Sequence, residues 1–266
     1  MQKEITYKEI RVVYDDLGTG NPVVLVHGFG EDSRVWDIQA AALKTKCRLL
    51  IPDLPGSGRS LKGNQNWSME ELAEVIKAIL EAEDINQAVI IGHSMGGYAT
   101  LAFVEKYPGN AIAFGLFHSS AYADNDEKKT ARQKNVDFVR KHGSYEFLKQ
   151  AIPNLFGELF KQKQPDFVNN FIDQYKEFDP EALIDYTQSM MKRPDRTNVL
   201  KTFKKPVLFI AGKNDNAVPF EQTMKQVHLP QLSYIHILED AGHMGMIEEP
   251  QKSTAFLEEF IKAVYA

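Results

Sequence analysis

The stretch Ala88-Val89-Ile90-Ile91-Gly92-His93-Ser94-Met95-Gly96-Gly97 decides the fold. Its first four residues are a short apolar run of the kind that forms a buried strand. Residues 95–107 read as a helix, stopped by Pro108-Gly109. Between the two, the pattern Gly92-x-Ser94-x-Gly96 leaves no room for a loop, so the chain passes abruptly from strand to helix at Ser94. A serine on such a turn is expected to hold a strained backbone with positive φ. Its neighbours two positions away must be small, or their side chains would meet adjacent elements. The turn raises the hydroxyl above the sheet edge, where the first N–H groups of the helix face any anion.

Outward from this stretch, short apolar strands alternate with helices. Residues 4–14 read as one or two extended segments, and 23–26 as a strand ending in His27-Gly28-Phe29-Gly30. Helix is expected over 34–45 and strand over 48–51, followed by a loop rich in Pro, Gly and Ser over 53–66. Ser68 with Glu71 makes a capping box, and the helix behind it sets Leu72, Val75, Ile76, Ile79 and Leu80 on one face. Further strands are expected at 111–117, 206–210 and 232–238, with a closing helix at 249–264. This alternation predicts a mostly parallel sheet covered by helices on both faces, with ligands gathered at the carboxyl ends of the strands.

Residues 120–198 break the rhythm. They show no strand pattern, several Gly and Pro interruptions, and many aromatic residues. They read as a helical cap inserted between core segments 1–119 and 199–266. The aromatics serve either a ligand pocket or the cap's own core.

Composition narrows the functional classes. The 266 residues are 43% apolar and 25% charged, a globular balance. Lys and Arg total 31 against 36 Asp and Glu, for a formal charge of -5, which argues against nucleic acid as a partner. Cys47 is the single cysteine, so no internal disulfide and no zinc cluster is possible, and a reducing cytoplasm suits the chain. The N-terminus lacks a signal-type apolar core, and no run is long enough to span a bilayer. Gly18-x-Gly20, Gly28-x-Gly30 and Gly56-x-Gly58 all lack the third glycine of a dinucleotide loop, and neither a Walker loop nor HExxH is present. No cofactor or metal is inferred.

A serine hydroxyl needs a base to act as a nucleophile. Of the seven histidines, His243 is the candidate, in a loop that follows a strand and precedes the last helix. His27 and His93 read as structural, and His118 ends a strand where a pocket would begin. The orienting acid is Asp215, just beyond the strand at 206–210, which completes the chain order Ser, Asp, His. Asp124 and Asp126 are rival positions. The oxyanion hole is expected from the N–H groups of Met95 and Phe29, with Gly28 and Gly30 letting that loop turn tightly.

Taken together, these residues resemble the α/β-hydrolase superfamily. His27-Gly28-Phe29-Gly30 resembles its oxyanion loop, Asp53-Leu54-Pro55-Gly56-Ser57-Gly58-Arg59-Ser60 a second family loop, and Gly92–Gly97 its nucleophile elbow. Asp215 stands in G-x-x-D-x-x-x-P closed by Pro219, and His243 in G-H-x(4)-E-x-P with Glu248 and Pro250. The resemblance covers the sheet region; the segment 120–198 is similar only in position and helical character.

It implies an enzyme that cleaves small carboxylic esters through an acyl-serine, without cofactor. The pocket under the cap would draw on His118, Phe147, Phe156, Met190 and Met191. Dehalogenases and epoxide hydrolases of this fold use Asp where this chain has Ser94. Meta-cleavage-product hydrolases share the GxSMGG elbow but carry Trp where Met244 stands. A monoacylglycerol hydrolase, perhydrolase side activity and a hydrolase-fold small-molecule receptor are the other readings that the resemblance brings. Nothing in the sequence fixes the oligomeric state.

Overall fold

A computed structural model describes residues 1–266. Eight strands form one sheet: β1 (Gln2–Tyr7), β2 (Ile10–Leu17), β3 (Pro22–Val26), β4 (Arg48–Pro52), β5 (Ala88–His93), β6 (Ala111–Phe117), β7 (Val207–Gly212) and β8 (Ser233–Leu238). Their order is β1-β2-β4-β3-β5-β6-β7-β8. β1 and β2 pair antiparallel and β2 joins β4 antiparallel; every other pairing is parallel. β5 and β7 are buried along their whole length, as parallel strands covered on both faces must be. The edge strand β1 instead alternates exposed and half-buried residues.

Twelve helices accompany the sheet. A 3-10 turn at Ser33–Trp36 leads into α1 (Asp37–Leu43), so the expected helix over 34–45 is split. The side chain of Asp32 caps the turn by accepting the N–H of Arg34. In α2 (Met69–Ala82) the capping box of Ser68 and Glu71 is formed, and the apolar face is buried. α3 (Met95–Lys106) follows β5 directly.

Between β6 and β7 the chain is helical: α4 (Asp126–His142), α5 (Ser144–Ala151), α6 (Glu158–Lys163), α7 (Pro165–Asp173), α8 (Pro180–Lys192) and α9 (Thr197–Thr202). α10 (Phe220–Met224), α11 (Gly245–Glu248) and α12 (Pro250–Tyr265) complete the chain. The expected C-terminal helix is α12; the short α11 before it is not among the expected elements, and the two are separated because Pro250 opens α12 and Glu249 before it stands outside the helical region at φ -128 and ψ 61. β7 starts at Val207 and not at Pro206, which has no N–H to give a ladder.

Register is what brings the site together. Val26 pairs with Gly92, His93 with Phe117, Phe117 with Ile210, and Gly212 with Leu238. The carboxyl ends of β3, β5, β6, β7 and β8 therefore finish on one edge, and the loops that leave them meet there. The helices of the 120–198 segment are tied over this edge by polar contacts. Tyr186 donates its hydroxyl to the Pro55 carbonyl at 2.6 Å, and the Arg193 guanidinium lies 3.8 Å from the centre of the Tyr98 ring. No helix is both long and apolar enough to cross a membrane.

Candidate active site

Ser94 stands at φ 49 and ψ -114, a conformation that side-chain-bearing residues rarely hold. Its N–H donates to the Phe117 carbonyl at 2.9 Å, and its own carbonyl accepts the Ser119 hydroxyl at 2.7 Å, so the end of β6 and the loop after it hold the turn in place. The steric demand on the flanking glycines is plain. A Cβ on Gly92 would stand 2.2 Å from the Gly96 carbonyl oxygen, and one on Gly96 would stand 2.5 Å from those of Val26 and His27. All these obstacles are backbone atoms that no rotamer change can move.

Asp215 leaves the end of β7. Its Oδ1 accepts the N–H groups of Ala217 and Val218, each at 2.8 Å, which fixes the carboxylate plane. Its Oδ2 lies 2.8 Å from Nδ1 of His243 and 3.0 Å from Nδ1 of His118. Burial works to raise this carboxyl's pKa. The charge of His243 and the hydrogen bonds from His118 and His243 overcome it and hold the pKa far below the usual carboxylate range.

The loop that carries His243 is clamped from two sides. The His243 N–H donates to the Leu155 carbonyl at 2.7 Å. Glu248 accepts the N–H groups of Gly242 and Met244, each at 3.0 Å, and that of Gly157 at 2.7 Å. One carboxylate thus ties the histidine loop to the helical segment, which gives the glutamate of G-H-x(4)-E-x-P a physical task. Burial raises the pKa of Glu248 above the ordinary value.

Ser94 and His243 face the same cavity of about 310 Å³, at the small end for ligand sites; eleven of its eighteen lining residues are hydrophobic. Ser94 Oγ makes no hydrogen bond to His243 in this geometry; contacts of this type commonly tighten only when substrate is seated. Phe147 and Met190 line the cavity, and Phe147 packs edge-on against Phe29 at 6.1 Å.

Three expected pocket residues are elsewhere. His118 is wholly buried beside Asp215, and burial pushes its pKa down to about 4, so it is neutral. Phe156 stacks on Phe160 at 5.2 Å and packs against Phe171 at 5.7 Å, inside the helical segment's own core. Met191 is half-buried on α8 and, unlike its neighbour Met190, does not reach the cavity. The two rival acids are also placed. Asp124 is engaged by Arg132 and Arg193, and Asp126 is exposed at the start of α4.

Of the two residues expected to give the oxyanion N–H groups, Phe29 lines the cavity and Met95, buried at the start of α3, does not. The Phe29 N–H has no acceptor in the protein. The Met95 N–H belongs to the first turn of α3, where no preceding helical carbonyl is available.

Sequence reasoning missed Glu31. Its carboxylate is buried, accepts the Gly28 N–H at 2.8 Å, and lies 3.0 Å from His93 Nδ1. The other ring nitrogen of His93 lies 3.0 Å from the His243 carbonyl. Two acceptors call for two N–H groups, so His93 is an imidazolium paired with Glu31. Burial opposes the charge on both. The pair's mutual attraction outweighs it, raising His93 and lowering Glu31 from their ordinary values. A glutamate directly after the glycine loop was the available signal, since a buried charge must find a partner.

The model of the alpha/beta hydrolase family matches residues 23–255. The chain belongs to that family. Among solved structures, the hydrolase superposes with a TM-score of 0.94 on a malate-bound thermophilic esterase from Thermogutta terrifontis, at 28% identity and over 100% of both chains. It is 25% identical, over 96% of its length and 92% of the relative's, to a 2-hydroxy-6-oxononadienedioate/2-hydroxy-6-oxononatrienedioate hydrolase of Burkholderia vietnamiensis. It is 28% identical to the dihydrolipoyllysine-residue acetyltransferase component of an acetoin cleaving system of Pseudomonas putida. That match covers 91% of the hydrolase but only 64% of the relative.

Proposed function

We propose that the hydrolase cleaves small-molecule carboxylic esters, with Ser94 as nucleophile, His243 as general base and Asp215 as the acid that orients it. The carrying observation is that Ser94, on its strained turn, opens into one small apolar cavity with His243, whose Nδ1 is bonded to Asp215. Ser94 Oγ attacks the ester carbonyl while His243 Nε2 takes its proton. The N–H groups of Phe29 and Met95 receive the oxyanion. Asp215 holds the imidazole with Nδ1–H toward itself and stabilises the imidazolium as it forms. The alcohol leaves with the proton from His243, and water, activated by the same imidazole, releases the acid. Residues 120–198 act as a cap that closes the cavity, and Phe147 and Met190 contact the substrate's apolar part. No cofactor is needed for any step.

Likeness to the Thermogutta esterase along the whole chain supports ester chemistry. The Burkholderia relative's name favours carbon–carbon bond cleavage as the second reading, on the same residues.

The test is rapid-mixing release of p-nitrophenol from acyl esters of increasing length, with Ser94→Ala beside the parent. Many turnovers are expected on short acyl chains, falling by at least about 10³-fold in the variant. Turnover retained in Ser94→Ala would remove the serine from the mechanism. A single burst followed by silence would point to a receptor.

A further inference from the structure

The cavity's lining is of two kinds. Phe29, Phe147, Leu148 and Met190 are apolar. Lys128, Ala131, Arg132 and Asn135 reach it from α4 at spacings of three and four residues, which is one face of a helix.

Arg132 is mostly buried and uses a single donor, Nε–H, toward Asp124 at 2.6 Å. The N–H groups of its two terminal nitrogens have no partner in the protein. The other oxygen of Asp124 is taken by Arg193 at 2.9 Å. Lys128 has no carboxylate partner; it donates to the Ala217 carbonyl at 3.2 Å, on the loop that carries Asp215. One buried carboxylate is therefore shared by two guanidiniums, and Lys128 adds a cation without a carboxylate partner, in a chain whose overall charge is -5. Glu31 is the acid that lines the cavity, and it is already committed to His93 and Gly28.

We propose that this face of α4 is an anion subsite and that the substrate is a short ester bearing a free carboxylate. The inference rests on the ester reading above. A guanidinium presents a planar fork that matches a carboxylate through two parallel hydrogen bonds, and Arg132 has that fork free. Its Nε contact with Asp124 fixes the fork's orientation before substrate arrives. The apolar lining takes the hydrocarbon between carboxylate and scissile carbonyl, and Lys128 adds attraction.

The test compares kcat/KM for the p-nitrophenyl monoester of glutaric acid with that for p-nitrophenyl valerate, which has the same chain without the charge. The parent is expected to prefer the charged ester by roughly tenfold, the scale of one charge-assisted hydrogen bond, and to lose preference as salt rises. Arg132→Gln should abolish the preference and Arg132→Glu should invert it. Lys128→Gln leaves the Asp124 contacts intact and should lower the ratio in the same direction, which keeps the test open if the arginine variants do not fold. No preference in the parent, or a ratio unchanged in Arg132→Gln and Lys128→Gln, would overturn the proposal. Valerate turnover and its loss in Ser94→Ala report separately on the ester reading. Should no ester be turned over, calorimetric binding of glutarate decides: roughly tenfold weaker binding in Arg132→Gln sustains the subsite, and equal binding refutes it.

Discussion

Replacing Glu31 by alanine strikes two contacts at once. The Gly28 N–H loses its acceptor at 2.8 Å, and the His93 imidazolium loses the counter-charge 3.0 Å away. Both sites are buried, so water cannot take over. Removing one member of a buried pair costs about 3–5 kcal/mol, which sets the expected loss. Glu31→Gln is the discriminating companion. Both contacts fall on the same oxygen, Oε2, so an amide oxygen in that place can still accept the Gly28 N–H and the His93 Nδ1–H, and only the negative charge is lost. Its cost should be about 1 kcal/mol, the difference between charged and neutral hydrogen bonds.

The pH dependence adds a sign. Glu31 is lowered from 4.5, so its contribution is present above that value and is lost as pH falls through the folded pKa. His93 is raised from 6.5, so its contribution is full below 6.5 and is lost as pH rises through the folded pKa. The pair therefore contributes most between pH 4.5 and 6.5. Urea denaturation at about pH 5.5 and about pH 9 should show the deficit of Glu31→Gln shrinking at the higher pH. An equal deficit at both values, or a Glu31→Ala cost under about 1 kcal/mol, would refute the paired-charge argument.

Gly96→Ala would drive a Cβ to 2.5 Å from two backbone carbonyl oxygens, so both denaturation midpoint and ester turnover should fall, with a stability loss of about 1–3 kcal/mol. Asp215→Asn keeps an oxygen for the N–H groups of Ala217 and Val218, so the chain should stay folded. It permits the wrong imidazole tautomer, so kcat should drop by roughly 10⁴-fold, read from steady-state ester hydrolysis alongside circular dichroism. Cys47 is buried and its thiol is pushed up to about 11, so a thiol-specific chromogenic reagent should find it inert at neutral pH until denaturant is added.

Much of the fold is legible in the sequence because its cues are local. The apolar run at β5, the close approach of Gly92 to Gly96 across the elbow and the Ser68–Glu71 capping box each act within a few residues. The boundaries that shift do so for equally local reasons, as where Pro206, with no N–H to give a ladder, leaves β7 to start at Val207. The helical segment 120–198 is less legible. The aromatic content of the segment says that Phe156 and Phe147 are to be buried, but not against what; Phe156 turns into its own layer and Phe147 into the cavity.

By itself, then, the sequence determined the strand–turn–helix at Ser94, the sheet class and the candidates Ser94, Asp215 and His243, because steric exclusion and chain order are written in neighbouring residues. Only the tertiary structure decided that His118 serves Asp215 instead of the cavity, that Glu31 pairs with His93 across 62 residues, and that Lys128 and Arg132 look onto Ser94's cavity. Those outcomes depend on which side chain a distant element presents. Burial then turns a chance of proximity into an obligatory partner, because a charge or polar group removed from water must be satisfied by whatever the fold has brought beside it.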